Sequence, residues 1–168
     1  MSVLPRPQPD PVGEGQESVW NYPRPAIAEP TTRHIVIRHK GVVLANTKAA
    51  YRTLETSHPP TYYIPPADIA MKHFSSNPRR SLCEWKGQAS YFDVTVGGDQ
   101  IQAAAWSYTN PTSSFHPVAG YLAFYCEPFD EVLVDGEQVT PQPGDFYGGW
   151  ITSREVGPFK GIPGSRFW

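Results

Sequence analysis

Cysteine is scarce in this sequence, and its spacing fits no common metal site. Only Cys83 and Cys126 are present, and they form no Cys-x-x-Cys pair. A structural zinc site usually takes four Cys or His ligands, so we expect neither a metal nor another cofactor. In a reducing compartment both residues stay thiols. We therefore expect a fold that packing holds together without zinc or disulfide bonds.

Charge and long apolar runs are also scarce. Charged residues make up 18% of the chain and the formal net charge is -2, which gives no overall field for nucleic acid or an anionic membrane. No apolar run approaches the length of a bilayer, and the N-terminus lacks a basic start followed by an apolar stretch. Residues 33–52 are locally basic, and we expect these side chains to decorate the solvent face of a hairpin. The sequence predicts a soluble, cytoplasmic protein without nucleic-acid or membrane partners.

Proline, glycine and aromatic residues are abundant instead. The chain has 19 prolines, 14 glycines and 13% aromatic residues in 168 positions, which is typical of a turn-rich β protein with few, short helices. Prolines crowd residues 1–30, so we expect an extended arm whose second half packs on the body. Residues 31–168 are predicted to form a single β-rich domain.

Alternation of polar and apolar residues predicts the strands. They are expected over residues 33–39, 42–46, 50–55, 89–96, 101–108 and 118–126, followed by a hairpin of residues 131–135 and 138–140 around Asp135-Gly136. One short helix should start near Pro65-Pro66 and end at Asn77-Pro78. In strand 118–126 one face should carry Tyr121, Ala123 and Tyr125, and the other Leu122, Phe124 and Cys126.

The segment of residues 80–94 concentrates chemically useful side chains. It places Cys83, Trp85 and Lys86 just before a glycine and a predicted strand, at a position where loops often hold binding groups. Within the strand, Tyr91 should face away from Phe92. The alternative interpretation is structural: a tryptophan that caps the core edge, a solvated lysine and a small buried cysteine.

The C-terminal region contains a weak echo of this segment. Trp85-Lys86-Gly87 has a counterpart in Phe159-Lys160-Gly161, which is too short to indicate a repeat but predicts two similar turns. The glycines before Trp150 predict that the backbone passes close to a bulky group there.

Four blocks of the sequence resemble the domain of unknown function 427 family. They are YIPPAD (residues 63–68), SLCEWKGQASY (81–91), AWSY (105–108) and GYLAFY (120–125). The resemblance covers about residues 33–137 and leaves residues 138–168 as a C-terminal extension. It implies a β-tent (Mss4-like) fold, in which two antiparallel sheets meet at an angle, as in methionine-R-sulfoxide reductases and the ligand-binding domain of cereblon. Those relatives often carry a four-cysteine zinc site that this chain lacks.

The implied fold gives the aromatic residues a common role. If the sheets converge, a pocket between them is lined by Tyr63, Trp85, Tyr91, Trp106, Tyr125 and Trp150, with Lys86 and Cys83 at its rim. Aromatic walls and one amine suit a small polar or aromatic ligand. The alternative is that these rings simply fill the core.

Three functional classes remain open. The first is a small-molecule binding protein or non-metal enzyme, with Lys86 as anion anchor or electrophile, Tyr63 or Tyr91 as hydroxyl donor and Cys83 as candidate nucleophile. The second is an interaction module that recognises a peptide side chain in an aromatic cage. The third is a thiol oxidoreductase that uses Cys83 and Cys126. A nucleotidyltransferase label has been attached to the family, but this sequence has neither a Gly-Ser and Asp-x-Asp pattern nor a Walker-type loop. We favour the first class.

Overall fold

The alternating segments form strands in the structure, a computed structural model that describes residues 3–168. Within this part of the chain there are fifteen strands and four short 3₁₀ helices. The strands are β1 (Glu17–Ser18), β2 (Ile27–Pro30), β3 (Ile35–His39), β4 (Val42–Thr47), β5 (Tyr51–Leu54), β6 (Thr61–Tyr63), β7 (Phe74–Cys83), β8 (Gly87–Val96), β9 (Asp99–Ser107), β10 (Leu122–Phe124), β11 (Glu131–Val134), β12 (Glu137–Gln138), β13 (Thr140–Pro141), β14 (Trp150–Ile151) and β15 (Glu155–Val156). The 3₁₀ helices are Val19–Asn21, Pro66–Asp68, Met71–His73 and Ser113–Val118.

Three sheets make up most of the fold. The first sheet has the order β10-β9-β8-β7, the second β12-β11-β3-β4 and the third β2-β5-β6. All their neighbouring strands are antiparallel, as are those of the small β13-β14 pair, whereas the short β1-β15 pair is parallel. The predicted fold class, mainly β with antiparallel sheets, is confirmed.

The first sheet separates two groups of buried side chains. Its inner face contributes Leu122 and Phe124 to the main core, where they join Ile35, Ile37 and other aliphatic residues of the second sheet. Its outer face contributes Ala123 to a second cluster that is rich in aromatic rings. The predicted faces of residues 121–126 are therefore correct, and so are those of Tyr91 and Phe92, because successive side chains of a strand point in opposite directions.

The segment before Cys83 differs from its prediction. Residues 74–83 form the ten-residue edge strand β7, whereas the sequence suggested the end of a helix and a loop. Pro78 is accommodated because β7 lies at the edge of the sheet and its register shifts between Asn77 and Arg80, which forms a bulge. The expected helix is replaced by two separate 3₁₀ turns, since Ile69 is extended and bridges Ala45.

The basic residues of the 33–52 region do not all decorate a solvent face, which corrects that expectation. Arg33 is largely buried and donates hydrogen bonds to Glu155 (3.0 Å) and to Tyr62 Oη (2.6 Å). Arg52 is also largely buried, and it pairs with Glu17 and Glu29. These pairs tie the N-terminal arm and the C-terminal extension to the sheets.

The arm and the extension also contact each other directly. Leu4 N donates to Gly164 O and Asp10 N donates to Gly157 O, at 2.7 and 2.9 Å. The rings of Trp20 and Trp168 lie 5.8 Å apart, measured between centroids. Of the helices formed by residues 3–168, none has the length and apolarity that a membrane crossing needs.

Candidate functional site

A cavity of about 330 Å³ opens on the outer face of the first sheet. Three regions of the chain line it. The first consists of strands β7 to β9 and Tyr125, which directly follows β10; the second is the end of the third sheet with residues 53–63; the third is the C-terminal extension. Five of the six aromatic residues predicted to border a pocket lie here, together with both candidate catalytic residues: Tyr63, Trp85, Tyr91, Trp106, Tyr125, Lys86 and Cys83.

Trp150, the sixth predicted aromatic residue, lies elsewhere. It is fully buried in the main core, its ring is 5.2 Å from that of Tyr62, and its Nε1 donates to Phe124 O at 3.0 Å. The neighbouring glycines do allow a close approach, as the sequence predicted: the Gly148 main chain lies against the Trp106 ring, where a Cβ would overlap it. Gly148 thus forms part of the cavity wall, while the buried Trp150 side chain fixes β14 to the main core.

The turn between β7 and β8 positions Trp85 and Lys86. Thr112 clamps this turn, since its N donates to Lys86 O at 2.9 Å and its Oγ1 donates to Trp85 O at 2.6 Å. Gly87 then enters β8 with a φ of 111°, which favours glycine. Lys86 Nζ lies 4.0 Å from Cys83 Sγ and 5.4 Å from the centre of the Phe115 ring. The amine and the thiol therefore sit side by side at the cavity.

The phenols and indoles of the cavity are held by neighbours. Trp106 and Tyr125 have ring centroids 4.6 Å apart, and Tyr91 Oη hydrogen-bonds Ser81 Oγ at 2.8 Å. The Arg79 guanidinium lies 4.5 Å above the Tyr91 ring, in cation–π geometry. Burial raises the pKa of both Tyr63 and Tyr125, so these hydroxyls are neutral hydrogen-bond donors near neutral pH.

Sequence reasoning missed several polar residues of the site, among them His58, Gln142 and Lys160, which all lie in irregular segments. The buried Gln142 amide donates from Nε2 to Lys160 O and to His58 Nδ1, both at 2.9 Å. Its Oε1 accepts from Gly149 N at 3.2 Å. The similarity of Phe159-Lys160-Gly161 to Trp85-Lys86-Gly87 was the one feature of the sequence that could have indicated Lys160. Gly161 has a φ of 127°, close to that of Gly87, and both lysines reach the same cavity.

His58 is neutral in this setting. Burial, and then the positive charges of Lys160, Lys86 and Arg24, lower the pKa of His58 to about 3. This holds although Glu55 Oε2 lies 3.7 Å from Nε2, because a half-buried carboxylate at that distance does not offset the desolvation of the imidazolium. The cavity thus contains a neutral imidazole between cationic side chains.

A second cavity of about 530 Å³ adjoins this one. The two share five residues in their walls, Arg79, Tyr125, Gln142, Tyr147 and Gly148. The larger cavity is otherwise bordered mainly by loop residues such as Glu127 and Pro128 and by part of β9. The smaller cavity is the candidate functional site, because rings, cations and a titratable group with a perturbed pKa converge there.

The two thiols belong to different sides of the first sheet. Cys83 packs against the aromatic cluster that borders the cavity, whereas Cys126 is buried in the main core. Burial also raises the pKa of Cys126 to about 11, which disfavours its thiolate. This arrangement gives no support to a pair of attacking and resolving cysteines. Among residues 3–168, no three His, Cys, Asp or Glu side chains gather as metal ligands.

Fold and site together define a mainly β protein with an aromatic, cationic cavity on one face of a sheet. A family profile described as "Domain of unknown function (DUF427)" matches residues 27–135. The chain therefore belongs to the DUF427 family. Comparison with curated proteins gave no match. Gln142 and Lys160 lie outside the matched residues, so the C-terminal extension adds its own part to the cavity.

Proposed function

We propose that this protein binds a small molecule with a planar group in the 330 Å³ cavity. The observation that supports this most strongly is the convergence of Tyr63, Trp85, Tyr91, Trp106 and Tyr125 around one open volume, with Lys86 beside them. A ring that fills the core has no such volume next to it. Stacking between rings is favourable beyond the area that it buries, so a flat ligand fits these walls.

Lys86 holds the polar end of the ligand in this proposal. Thr112 donates hydrogen bonds to the carbonyls of Trp85 and Lys86, so the main chain that carries this amine is held in place at the cavity. The ammonium has three N–H donors, and its one hydrogen-bond contact within residues 3–168 is the long one to the Cys83 sulfur at 4.0 Å, so donors remain for a carbonyl, carboxylate or phosphate oxygen. Cys83 stands next to that position as a candidate nucleophile.

A ligand screen with two readouts tests the proposal. Nucleotides, aromatic acids, amino acids and cofactors are added to the full chain, and thermal unfolding and tryptophan fluorescence are recorded against ligand concentration. A ligand of the native state raises Tm with concentration, and one bound beside Trp85 and Trp106 changes fluorescence over the same range. Lys86→Met should weaken a hit by about tenfold or more with little change in the Tm of the free protein.

Controls separate a site effect from a general one. Lys48 is exposed and does not line the cavity, so Lys48→Met should leave binding unchanged. Trp85→Ala should remove part of the fluorescence response. Equal affinity of the Lys86→Met and Lys48→Met proteins would exclude Lys86 from the site. A chain that no small molecule stabilises, but that binds a peptide, would favour the interaction-module alternative.

A further inference from the structure

We propose that the C-terminal extension builds an oxyanion subsite in this cavity, formed by Lys160 and His58, so that the ligand is a planar small molecule bearing a carboxylate or phosphate. This inference rests on the proposed function and makes it more specific. It assigns a binding role to Lys160, which lies outside the matched family region, and to His58, which lies inside that region but in none of the four family blocks.

The first step is the orientation of the Gln142 amide. Lys160 O can only accept a hydrogen bond and Gly149 N can only donate one, so Nε2 must face Lys160 and Oε1 must face Gly149. Nε2 therefore donates to His58 Nδ1 as well, and Nδ1 must be an acceptor. In the neutral imidazole the proton is then on Nε2.

The second step is the position of Lys160. Its main-chain N donates to Ser57 O at 2.9 Å and its O accepts from Gln142, so the residue is fixed on both sides next to His58. Its ammonium makes one long contact, 3.4 Å to Trp168 O, so two of its N–H groups have no hydrogen-bond partner among the residues that the structure describes. Within residues 3–168, neither Lys160 nor Lys86 lies at ion-pair distance from an Asp or Glu side chain.

The third step is the balance of charge. Three cations line the cavity, Arg79, Lys86 and Lys160, against the carboxylates of Glu55 and Glu84. His58 adds an N–H donor without adding charge, because its burial, and then the charges of Lys160 and Lys86, oppose its protonation. A site with two ammonium groups and a neutral donor suits an oxyanion, which accepts several hydrogen bonds at once.

Glu55 is the element that opposes such a ligand. Its Oε2 lies 3.7 Å from His58 Nε2, and its charge raises the pKa of Lys160, although burial dominates and lowers that pKa overall. A bound oxyanion would be repelled by this carboxylate. The subsite therefore predicts effects of opposite sign for substitutions at Lys160 and at Glu55.

The test uses ligand pairs that share one ring system. 2-Naphthoate is compared with 2-naphthamide, and 2-naphthyl phosphate with 2-naphthol, by calorimetric titration of the full chain. Each acid should bind at least about tenfold more tightly than its neutral partner. Lys160→Met should remove most of that preference, Lys160→Arg should retain it, and Glu55→Gln should increase acid affinity about three- to tenfold. Lys48→Met serves as the matched control.

The outcomes separate this inference from the proposed function. If acids and neutral partners bind equally and Lys160→Met changes neither, the ring binds but the subsite is wrong. If no member of either pair binds, the planar-ligand proposal itself fails. If Lys160→Met lowers Tm strongly, its effect on binding cannot be separated from unfolding, and the Glu55→Gln variant becomes the test. An unchanged affinity of Glu55→Gln for the acids would then contradict the subsite. The carboxylate and phosphate arms show which oxyanion is preferred.

Discussion

The main chain of Gly148 lies directly against the indole ring of Trp106, with no room for a side chain between them. This contact joins the C-terminal extension to the outer face of the first sheet. It forms one wall of the cavity, since both residues line it.

Gly148→Ala should therefore destabilise the protein and disturb the cavity. The added methyl group must displace either the loop or the indole, which costs about 1–3 kcal/mol, and thermal unfolding should show a Tm lower by several degrees. Near-ultraviolet circular dichroism should report the displaced tryptophan. Gly13→Ala is the control, because a Cβ there meets only the far end of the exposed Gln16 side chain. An unchanged Tm for Gly148→Ala would mean that the loop yields freely.

His58 should make stability depend on pH. Its pKa is about 3 in the folded protein, against about 6.5 when unfolded, so between these values the unfolded chain binds the extra proton. His58 therefore does not lower the free energy of unfolding above pH 6.5. As the pH falls below that value the free energy of unfolding decreases, and at pH 5 the loss is about 2 kcal/mol. Burial of the ring, and then the charges of Lys160, Lys86 and Arg24, lower the pKa of His58 in the folded protein. The nearby Glu55 carboxylate acts in the opposite direction.

The measurement is the free energy of unfolding by urea at several pH values from 5 to 7.5. His58→Gln removes the titrating group and should flatten the curve over this window. His116→Gln, at an exposed position outside the cavity, should keep the slope of the original protein. Parallel curves for the original protein and His58→Gln would show that His58 takes up its proton equally in both states.

The two thiols should differ in reactivity. Cys83 is half-buried at the cavity, while Cys126 is buried in the main core with a pKa raised to about 11. Iodoacetamide at pH 7.5 should modify one thiol, Cys83, more than about 100-fold faster than the other. Cys83→Ser should abolish the fast phase and Cys126→Ser should preserve it. A cavity ligand should slow the fast phase, and two equally fast thiols would contradict the burial of Cys126.

The buried ion pair between Arg33 and Glu155 should contribute strongly to stability. The Glu155 side chain is 0% exposed and also accepts hydrogen bonds from Thr152 N and Oγ1. Glu155→Gln leaves the Arg33 charge without its main partner, so we expect a loss of about 3 kcal/mol and a Tm lower by roughly 10 °C. Glu14→Gln, in the exposed arm, is the control. A loss below about 1 kcal/mol would show that Glu17 and Tyr62 suffice to hold Arg33.

Strand alternation made much of the fold predictable. The period of two in residues 121–126 separated the cavity side from the core side correctly, because successive side chains of a strand point to opposite faces even when both faces are buried. The resemblance to the DUF427 family then grouped rings that lie far apart in the sequence, and five of the six indeed border one cavity. Local pattern and family likeness thus gave the sheet and its aromatic face.

The remaining features depend on contacts that no local pattern shows. β7 was missed because Pro78 and a polar run hide an edge strand with a bulge. His58, Gln142 and Lys160 lie in irregular segments, and His58 meets Gln142 only because the extension folds back over 84 positions. The predicted position of Trp150 at the cavity was wrong, because a tryptophan next to glycines has the same sequence pattern whether it borders a cavity or lies in a short buried strand.

The first sheet has a different neighbour on each of its faces, the main core on one and the cavity on the other. Adjacent positions such as Tyr91 and Phe92 therefore meet different surroundings. A substitution on the outer face can change the lining of the cavity while the aliphatic core on the inner face stays as it was. Such a sheet lets relatives diversify in chemistry and still inherit the same architecture.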